Sequence, residues 1–469
     1  MKIFEISETD DIEAVIKFFQ DNHEEPKIDK LKAQYHIAEH PVFDLRNRPD
    51  KKILKEDGSF DRWESVNRLG LPIQKKIVGA AVSFLFGNPV KMVAQADDEQ
   101  AMNALEAIKK ILNKNKIDSF NRRIARDLFR ATQVAEVWFA VGDKGSLKHS
   151  DYGFETPYKI KAMKFSPWEG DELYPYFDKY GDMAAFSRAY SLFVDKKEVK
   201  YFEVYTDEEY KLFEKVDNGW EEKESLVNVI GKIPVVFAAV EQSEWADVQT
   251  AIERLEHLLS NFADTNDYHG NPKIFIEGQI TGFAKKGETG AIIEGEKGST
   301  AKYLSWDHAP ESIKLEIETL FKVIYSFTQT PDISFDTLKD LKQGISGVAL
   351  EMLFMDAHLK VMEKREIFDE YLQRRVSIIK AFLGWMKPEM KTTLSALDIQ
   401  SEITPYIIND IATLVKNLTN ANGGKAILSQ KTAIEKSGLV NNAAEELAQI
   451  EAEEKAAAEI AQNMDRSFV

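Results

Sequence analysis

The run from Tyr325 to Leu383 constrains this chain more than any other stretch. A helix ends near Thr328, a polar loop with Pro331 and Gly344 follows, and a helix of unusual length opens at Ser346. Beyond it Ala349, Leu350, Leu353, Leu359, Ile367, Phe368, Tyr371, Leu372, Val376, Ile379 and Leu383 recur at intervals of three, four and seven. That spacing predicts one apolar stripe. No proline or interior glycine breaks the run, and about 40 residues at 1.5 Å rise make a rod of roughly 60 Å. Globular helices usually run about 8–20 residues. The rest of the chain has to accommodate a long strut with a loop at its N-terminal end.

With 469 residues the chain has room for two to four domains. It contains no cysteine, which excludes disulfides, thiol chemistry and thiolate metal sites and fits a reducing interior. The N-terminal MKIFEISETDDIEAV is acidic and lacks a signal-peptide pattern. The longest apolar run, Ile77 to Phe86, is half the length of a bilayer span and reads as a buried segment, so no membrane partner is expected. A net charge of −17 argues against a protein that grips nucleic acid by neutralising phosphates. It does not exclude one that lets nucleic acid pass without sticking.

Read in order, the chain begins with a helix carrying Ile12, Val15, Ile16, Phe18 and Phe19, with Thr9 or Asp10 as its cap. Residues from Arg46 to Gly58 read as an exposed loop. Pro72 starts a helix that Gly87-Asn88-Pro89 stops, and Val90 to Val93 is extended. Helices follow at Ala101–Asn115 and Asp118–Phe129, then a strand at Glu136–Val141. Tyr158–Phe165, Ala189–Val194, Val199–Thr206, Glu209–Val216 and Leu226–Val229 read as one antiparallel meander, closed by an edge strand at Ile233–Phe237. Its aromatics Tyr201, Phe202, Tyr205, Tyr210 and Phe213 read as sheet core. A helix at Glu244–Tyr268 precedes a small β insertion with strands at Lys273–Glu277 and Ala291–Glu294 and several glycine turns. Pro310 opens the next helix, through Phe327. After the rod, Ser395–Glu402 reads as a strand, and a helical tail from Pro405 is broken at Asn422-Gly423-Gly424 and near Gly438.

No catalytic constellation emerges. There is no G-x-x-x-x-G-K-[ST], G-x-S-x-G or H-E-x-x-H, and His257, His269, His308 and His358 stand apart. Asp97 with Asp98, Glu244 with Asp247, and Glu363 with Glu366 have the chemistry for a divalent cation, but among 78 acidic residues such pairs arise by chance. The chain reads as no enzyme, with no metal, cofactor or ATP-binding motif. The loop Ser334–Gly344 reads by composition as a solvated connector.

The order helix, β insertion, helix, Thr330-Pro331-Asp332, loop, then Ser346-Gly347-Val348-Ala349-Leu350 opening a very long helix resembles the portal proteins of tailed bacteriophages, especially the siphovirus type. Gly87-Asn88-Pro89-Val90, Lys232-Ile233-Pro234-Val235-Val236 with Asp247, Leu428-Ser429-Gln430-Lys431-Thr432-Ala433, Glu445-Glu446-Leu447 and Ile450-Glu451-Ala452-Glu453 carry the same likeness, over roughly 67–455. One departure is Asp264-Thr265-Asn266-Asp267, where the family often has a serine-rich stretch.

The resemblance implies an α+β, mostly helical chain. Residues 1–240 would be a wing, 241–270 and 310–330 the two stem helices, and 271–309 a clip. Residues 331–345 would be a tunnel loop, 346–404 a long tunnel helix returning to the wing, and 405–469 a helical crown. It also implies a homo-oligomeric ring of about twelve copies at one capsid vertex of the virion, assembled in the host cytoplasm. Its partners would be double-stranded DNA, the large terminase, the major capsid and scaffolding proteins, and head-completion or connector proteins. On this likeness Asp336, Lys339, Asp340, Lys342 and Gln343 would line the DNA channel, and Ser346 and Gly347 would open the tunnel helix. Lys285, Lys286, Glu288, Glu296 and Lys297 would face the docking partners. A virion scaffold or adaptor without DNA contact is the alternative, and a metal-dependent nuclease a third reading.

Overall fold

The computed structural model describes residues 11–466 apart from 22, 24, 97, 144, 218, 297, 270–272, 283–293, 305–309, 333–353, 407–410 and 441–442. Residues 1–332 with 356–406 form one compact unit, and residues 333–355 with 407–469 a second.

The first unit opens with α1 (Ile12–Asp21), which buries Val15, Ile16 and Phe19. Asp11 caps it, its carboxylate accepting the Ala14 N–H at 3.2 Å, one residue later than expected. After α2 (Ile28–Tyr35) comes a hairpin, β1 (Lys51–Leu54) and β2 (Phe60–Glu64), paired antiparallel. The reading of Arg46–Gly58 as a plain exposed loop is therefore corrected. Half of a hairpin lies there, preceded by a buried Arg48. The sequence Lys51-Lys52-Ile53-Leu54 lacked alternation because neither strand face is covered.

Helix α3 (Ile73–Phe86) follows Pro72 and stops at Gly87; β3 is Lys91–Ala94. Then come α4 (Glu99–Lys114), α5 (Ile117–Ala131) and β4 (Gln133–Val141). Ile77, Leu85, Ile124, Leu128 and Phe129 are fully buried, so the apolar run of α3 is core.

Next are β5 (Lys159–Phe165), β6 (Glu172–Phe177), β7 (Met183–Val194), β8 (Lys197–Tyr205), β9 (Glu209–Val216), β10 (Gly219–Val227) and β11 (Val235–Ala239). They do not form the single meander the sequence suggested. Five make a sheet in the order β10-β9-β8-β7-β6, while β5 and β11 leave it to flank β4. The reason lies in β4, whose Val134–Trp138 is buried throughout. A strand sealed from water needs partners on both edges for its N–H and C=O groups. Phe202, Tyr205 and Phe213 are buried, and α1 packs Val15, Ile16 and Phe19 over Phe202 and Phe213, as sheet-core aromatics should.

Helices α6 (Gln249–His269) and α7 (Pro310–Phe327) bracket the β insertion. Within it β12 (Lys273–Glu277) pairs with β15 (Thr300–Leu304), and β13 (Ile280–Gly282) with β14 (Glu294–Gly295), both antiparallel. The strand expected at Ala291–Glu294 is described from Glu294 onward. Helix α8 (Met355–Met386) has 32 residues, a rod of about 48 Å. The expected start at Ser346 lies outside the described residues. Its buried side holds Phe368, Tyr371, Leu372, Val376, Ile379 and Leu383, as the periodicity required.

Leu359 does not belong there. It is 53% exposed, because it stands two residues, about 200° of helix, from buried Ala357. Lys360 and Arg375 are buried instead. The chain then forms α9 (Lys391–Ala396) and β16 (Ile399–Glu402), which pairs with β3. The strand expected from Ser395 thus begins four residues later, after α9. In the second unit α10 (Ile411–Asn422), α11 (Gln430–Ser437) and α12 (Ala443–Arg466) bury no described side chain. Gly438, at φ +65°, ends α11 in the left-handed region.

Candidate functional site: a charged junction at the root of the long helix

Lys360 and Lys364 stand one turn apart on α8 and point into the body of the first unit. Both bind Glu244, Lys360 Nζ to Oε2 at 2.5 Å and Lys364 Nζ to Oε1 at 2.7 Å, with all three side chains largely buried. Burial alone would raise the Glu244 carboxyl, but the charges of Lys360 and Lys364 outweigh it and hold the group below the ordinary carboxylate range. Burial likewise opposes the charge on Lys364, and Glu244 more than offsets it, so its pKa lies above the usual lysine value. Glu244 is itself fixed, its N–H donating to the Phe129 carbonyl at the end of α5.

Lys360 also donates to the Thr328 carbonyl at 2.8 Å, where α7 ends. A cation on the last carbonyls of a helix satisfies orphan acceptors and meets the negative end of the dipole. The turn there has Gln329 at φ +50°, with the Thr330 N–H on the Tyr325 carbonyl at 2.9 Å. This is a Schellman-type stop in which a glutamine occupies the position that favours glycine. One pair of lysines therefore ties together the approach to α6, the exit from α7 and the first turns of α8. The expected channel loop starts two residues after Gln329.

A second tie lies about three turns further along α8. Arg375 grips Glu136 of β4 in a fork, Nε–Oε1 and Nη2–Oε2 both at 2.7 Å, and donates from Nη1 to Asn121 at 2.6 Å. Trp138 Nε1 donates to the same carboxylate at 2.8 Å. Every group is buried, and a buried ion pair is tolerated only when its remaining donors and acceptors are met in this way.

The third tie holds α6. Its residues Glu256, Ser260 and Asp264, each one turn apart, accept the backbone N–H groups of Leu71, Leu69 and Asn67 at 2.7, 2.9 and 2.8 Å. Alternate residues of extended chain repeat at about 6.6 Å and a four-residue helical step spans about 6.0 Å, so the two periods nearly match. Glu256 also meets His40 Nδ1 at 2.7 Å; Asp264 binds Arg48 at 2.6 Å; Asp267 accepts from Asn67 Nδ2 at 2.6 Å. Gly70 is required here because a Cβ would come within 2.5 Å of Ile37 and 2.6 Å of Phe43.

Of the residues expected to act, Asp336, Lys339, Asp340, Lys342, Gln343, Ser346 and Gly347 lie outside the described residues, as do Lys285, Lys286, Glu288 and Lys297. Glu296 is described and exposed, its N–H on the Gln279 carbonyl. Three of the acids considered for a cation have other roles: Asp98 caps α4, Asp247 accepts from Gln242, and Glu244 holds the lysines, while Asp97 lies outside the described residues. Among the described residues no group of three His, Asp or Glu converges to hold a metal, and no helix is long and apolar enough to cross a membrane. Lys360, Lys364 and Arg375 escaped sequence reasoning, although their i, i+4 and i+15 placement beside the apolar stripe was a readable signal.

Among solved structures the chain is similar to the "Neck of empty GTA particle computed with C6 symmetry", at 8% identity and a TM-score of 0.43, covering 79% of this chain and 91% of that one. It is also similar to the "Neck of native GTA particle computed with C12 symmetry", at 9% identity and a TM-score of 0.36, covering 88% and 93%. No curated protein matches it. The family model described as "Phage portal protein, SPP1 Gp6-like" matches residues 16–459. With nearly its whole length matched, the chain belongs to the SPP1 Gp6-like family of phage portal proteins.

Proposed function

We propose that about twelve copies of this chain form a ring at one capsid vertex, around a channel through which double-stranded DNA is packaged and later ejected. The family match from residue 16 to 459 carries this reading, since it runs from α1 to α12 without leaving out any element a channel would use. In it residues 1–240 are the wing, α6 and α7 the stem, 271–309 the clip, 331–345 the tunnel loop, 346–404 the tunnel helix with its return to the wing, and 405–469 the crown. The clip docks the large terminase and later the connector proteins, and the wing meets capsid and scaffolding proteins. Assembly takes place in the host cytoplasm.

Three ties of buried charge support the mechanical side of the reading. A subunit that transmits thrust on DNA needs stem, long helix and wing to move as one body, and Glu244, Glu136 and the α6 stripe link those elements. The charge supports the rest. At −17 per chain, a twelve-fold ring carries on the order of 200 negative charges, so a duplex is not held by many phosphate contacts. A few lysines of the loop, Lys339 and Lys342, guide it. Replacing both with glutamate should alter DNA retention and leave ring assembly intact.

Negative-stain microscopy of the purified chain is the direct test. Cogwheel rings with an axial hole wide enough for a duplex are expected. Particles without such a hole would overturn the channel and favour a scaffold or adaptor role.

A further inference from the structure

The outer side of α8 carries a groove of about 400 Å³, lined among others by Glu370, Arg374, Ser377, Lys380 and Asp398. Two cations line it, Arg374 and Lys380, and a third, Lys232, reaches its rim at Ser377; among the described residues each is hydrogen-bonded only to a neutral oxygen. Arg374 donates to the Ile233 carbonyl at 3.4 Å, Lys380 to the Leu397 carbonyl at 2.8 Å, and Lys232 to Ser377 Oγ at 2.7 Å. None of the three forms an ion pair among the described residues. This is unusual in a chain of net charge −17, where the other half-buried cations of α8, Lys364 and Arg365, have carboxylate partners.

We propose that this groove seats a carboxylate-bearing segment of a second copy of the chain, joining neighbours in the ring. The inference rests on the ring reading above and specifies one of its contacts. A closed ring needs two different, complementary faces on each subunit. Lysine has three donors and arginine five, so each cation here keeps donors for an incoming acceptor. Burial, and for Lys380 the nearby charge of Lys232, lowers the pKa of Arg374 and Lys380 and outweighs the opposing pull of the Asp182 carboxylate on Arg374 and of Asp398 on Lys380, neither of which closes to an ion pair. The shape favours a side chain over a duplex. The groove is concave, and Glu370 and Asp398 on its walls would oppose a continuous row of phosphates more than a single carboxylate.

The test uses full-length rings. Arg374→Glu with Lys380→Glu should lower the salt concentration at which rings dissociate by about threefold or more, and Arg374→Gln with Lys380→Gln should lower it less. Mass photometry across a sodium chloride series reads both. In unmodified rings assembled from ¹⁴N and ¹⁵N chains, carbodiimide should join Lys380 or Lys232 to a carboxylate of the other isotope. Rings indifferent to both double substitutions and free of such mixed cross-links would overturn the groove contact while leaving the ring reading standing. Intact variant rings that release DNA more readily would assign the groove to phosphate and overturn it too. A wild-type chain that stays monomeric at every salt would overturn the ring reading and this contact with it.

Discussion

Helices α6 and α7 flank the same β insertion and pack against each other, yet they are held in opposite ways. Along α6, Ile252, Leu255, Leu258, Glu256 and Ser260 are all buried, and its polar stripe is stitched to residues 67–71. Along α7 only Ile324 is fully buried among the described side chains, while Leu315 is 65% and Phe327 73% exposed. Among the described residues the one ion pair between the two helices, Arg254 to Glu316 at 2.7 Å, is exposed on both sides. One helix is therefore anchored within the chain. The other is fixed mainly at its C-terminal end, by Lys360 and the Gln329 turn. In the proposed ring the exposed Leu315 and Phe327 are apolar side chains that a neighbouring copy would cover.

Substitutions that break this asymmetry should rank accordingly. Glu256→Ala leaves the part-buried Leu71 N–H and the buried His40 Nδ1 without their acceptor, and should cost about 2–5 kcal/mol in urea unfolding at fixed protein concentration. Asp264→Ala, whose partners are partly exposed, should cost about 1–3 kcal/mol by the same measurement. If α7 variants proved as costly as these, the two helices would not be held differently.

The shared root gives a pH signature. The folded Glu244 pKa lies below its unfolded value, so its contribution is complete above that unfolded value of about 4.3 and is lost as pH falls through the folded one. Lys364 has the opposite sense. Its raised folded pKa gives a contribution present below about 10.4 and lost as pH climbs through the higher folded value. Lys364→Met should therefore make stability fall less steeply below pH 4 and remove part of the alkaline loss, read by thermal unfolding across pH. An unchanged profile would mean that Lys360 alone sets the Glu244 pKa.

The smallest effects belong to α7. Glu316→Ala should change stability by about 0–1 kcal/mol, because an exposed pair contributes little. Gln329→Gly should stabilise by up to about 1 kcal/mol, since glycine takes the left-handed turn without a Cβ penalty. A loss on Gln329→Gly would mean that the glutamine side chain has a role beyond ending the helix.

Much of the fold was legible in advance. The positions of α3 to α8, the β insertion and the breaks near Gly423 and Gly438 follow from apolar period, proline and glycine, and the family likeness followed from their order. Two things were not legible. The split of the 158–240 strands into two sheets depended on β4 needing two partners, which no strand's own pattern records. The departure at Asp264-Thr265-Asn266-Asp267 read as a local oddity, yet its two aspartates hold Arg48 and Asn67.

By itself the sequence determined most of the helices and the main runs of strand, that one helix is far longer than usual, and to which family the chain belongs. Periodicity reports the burial of apolar residues, and that is a local property. Only the tertiary structure decided which charges are buried. Lys360 and Arg375 look like surface residues until Glu244 and Glu136 are brought to them, the latter from 239 residues away. A charge enters a protein interior only with a partner, and the identity of that partner is written in the fold.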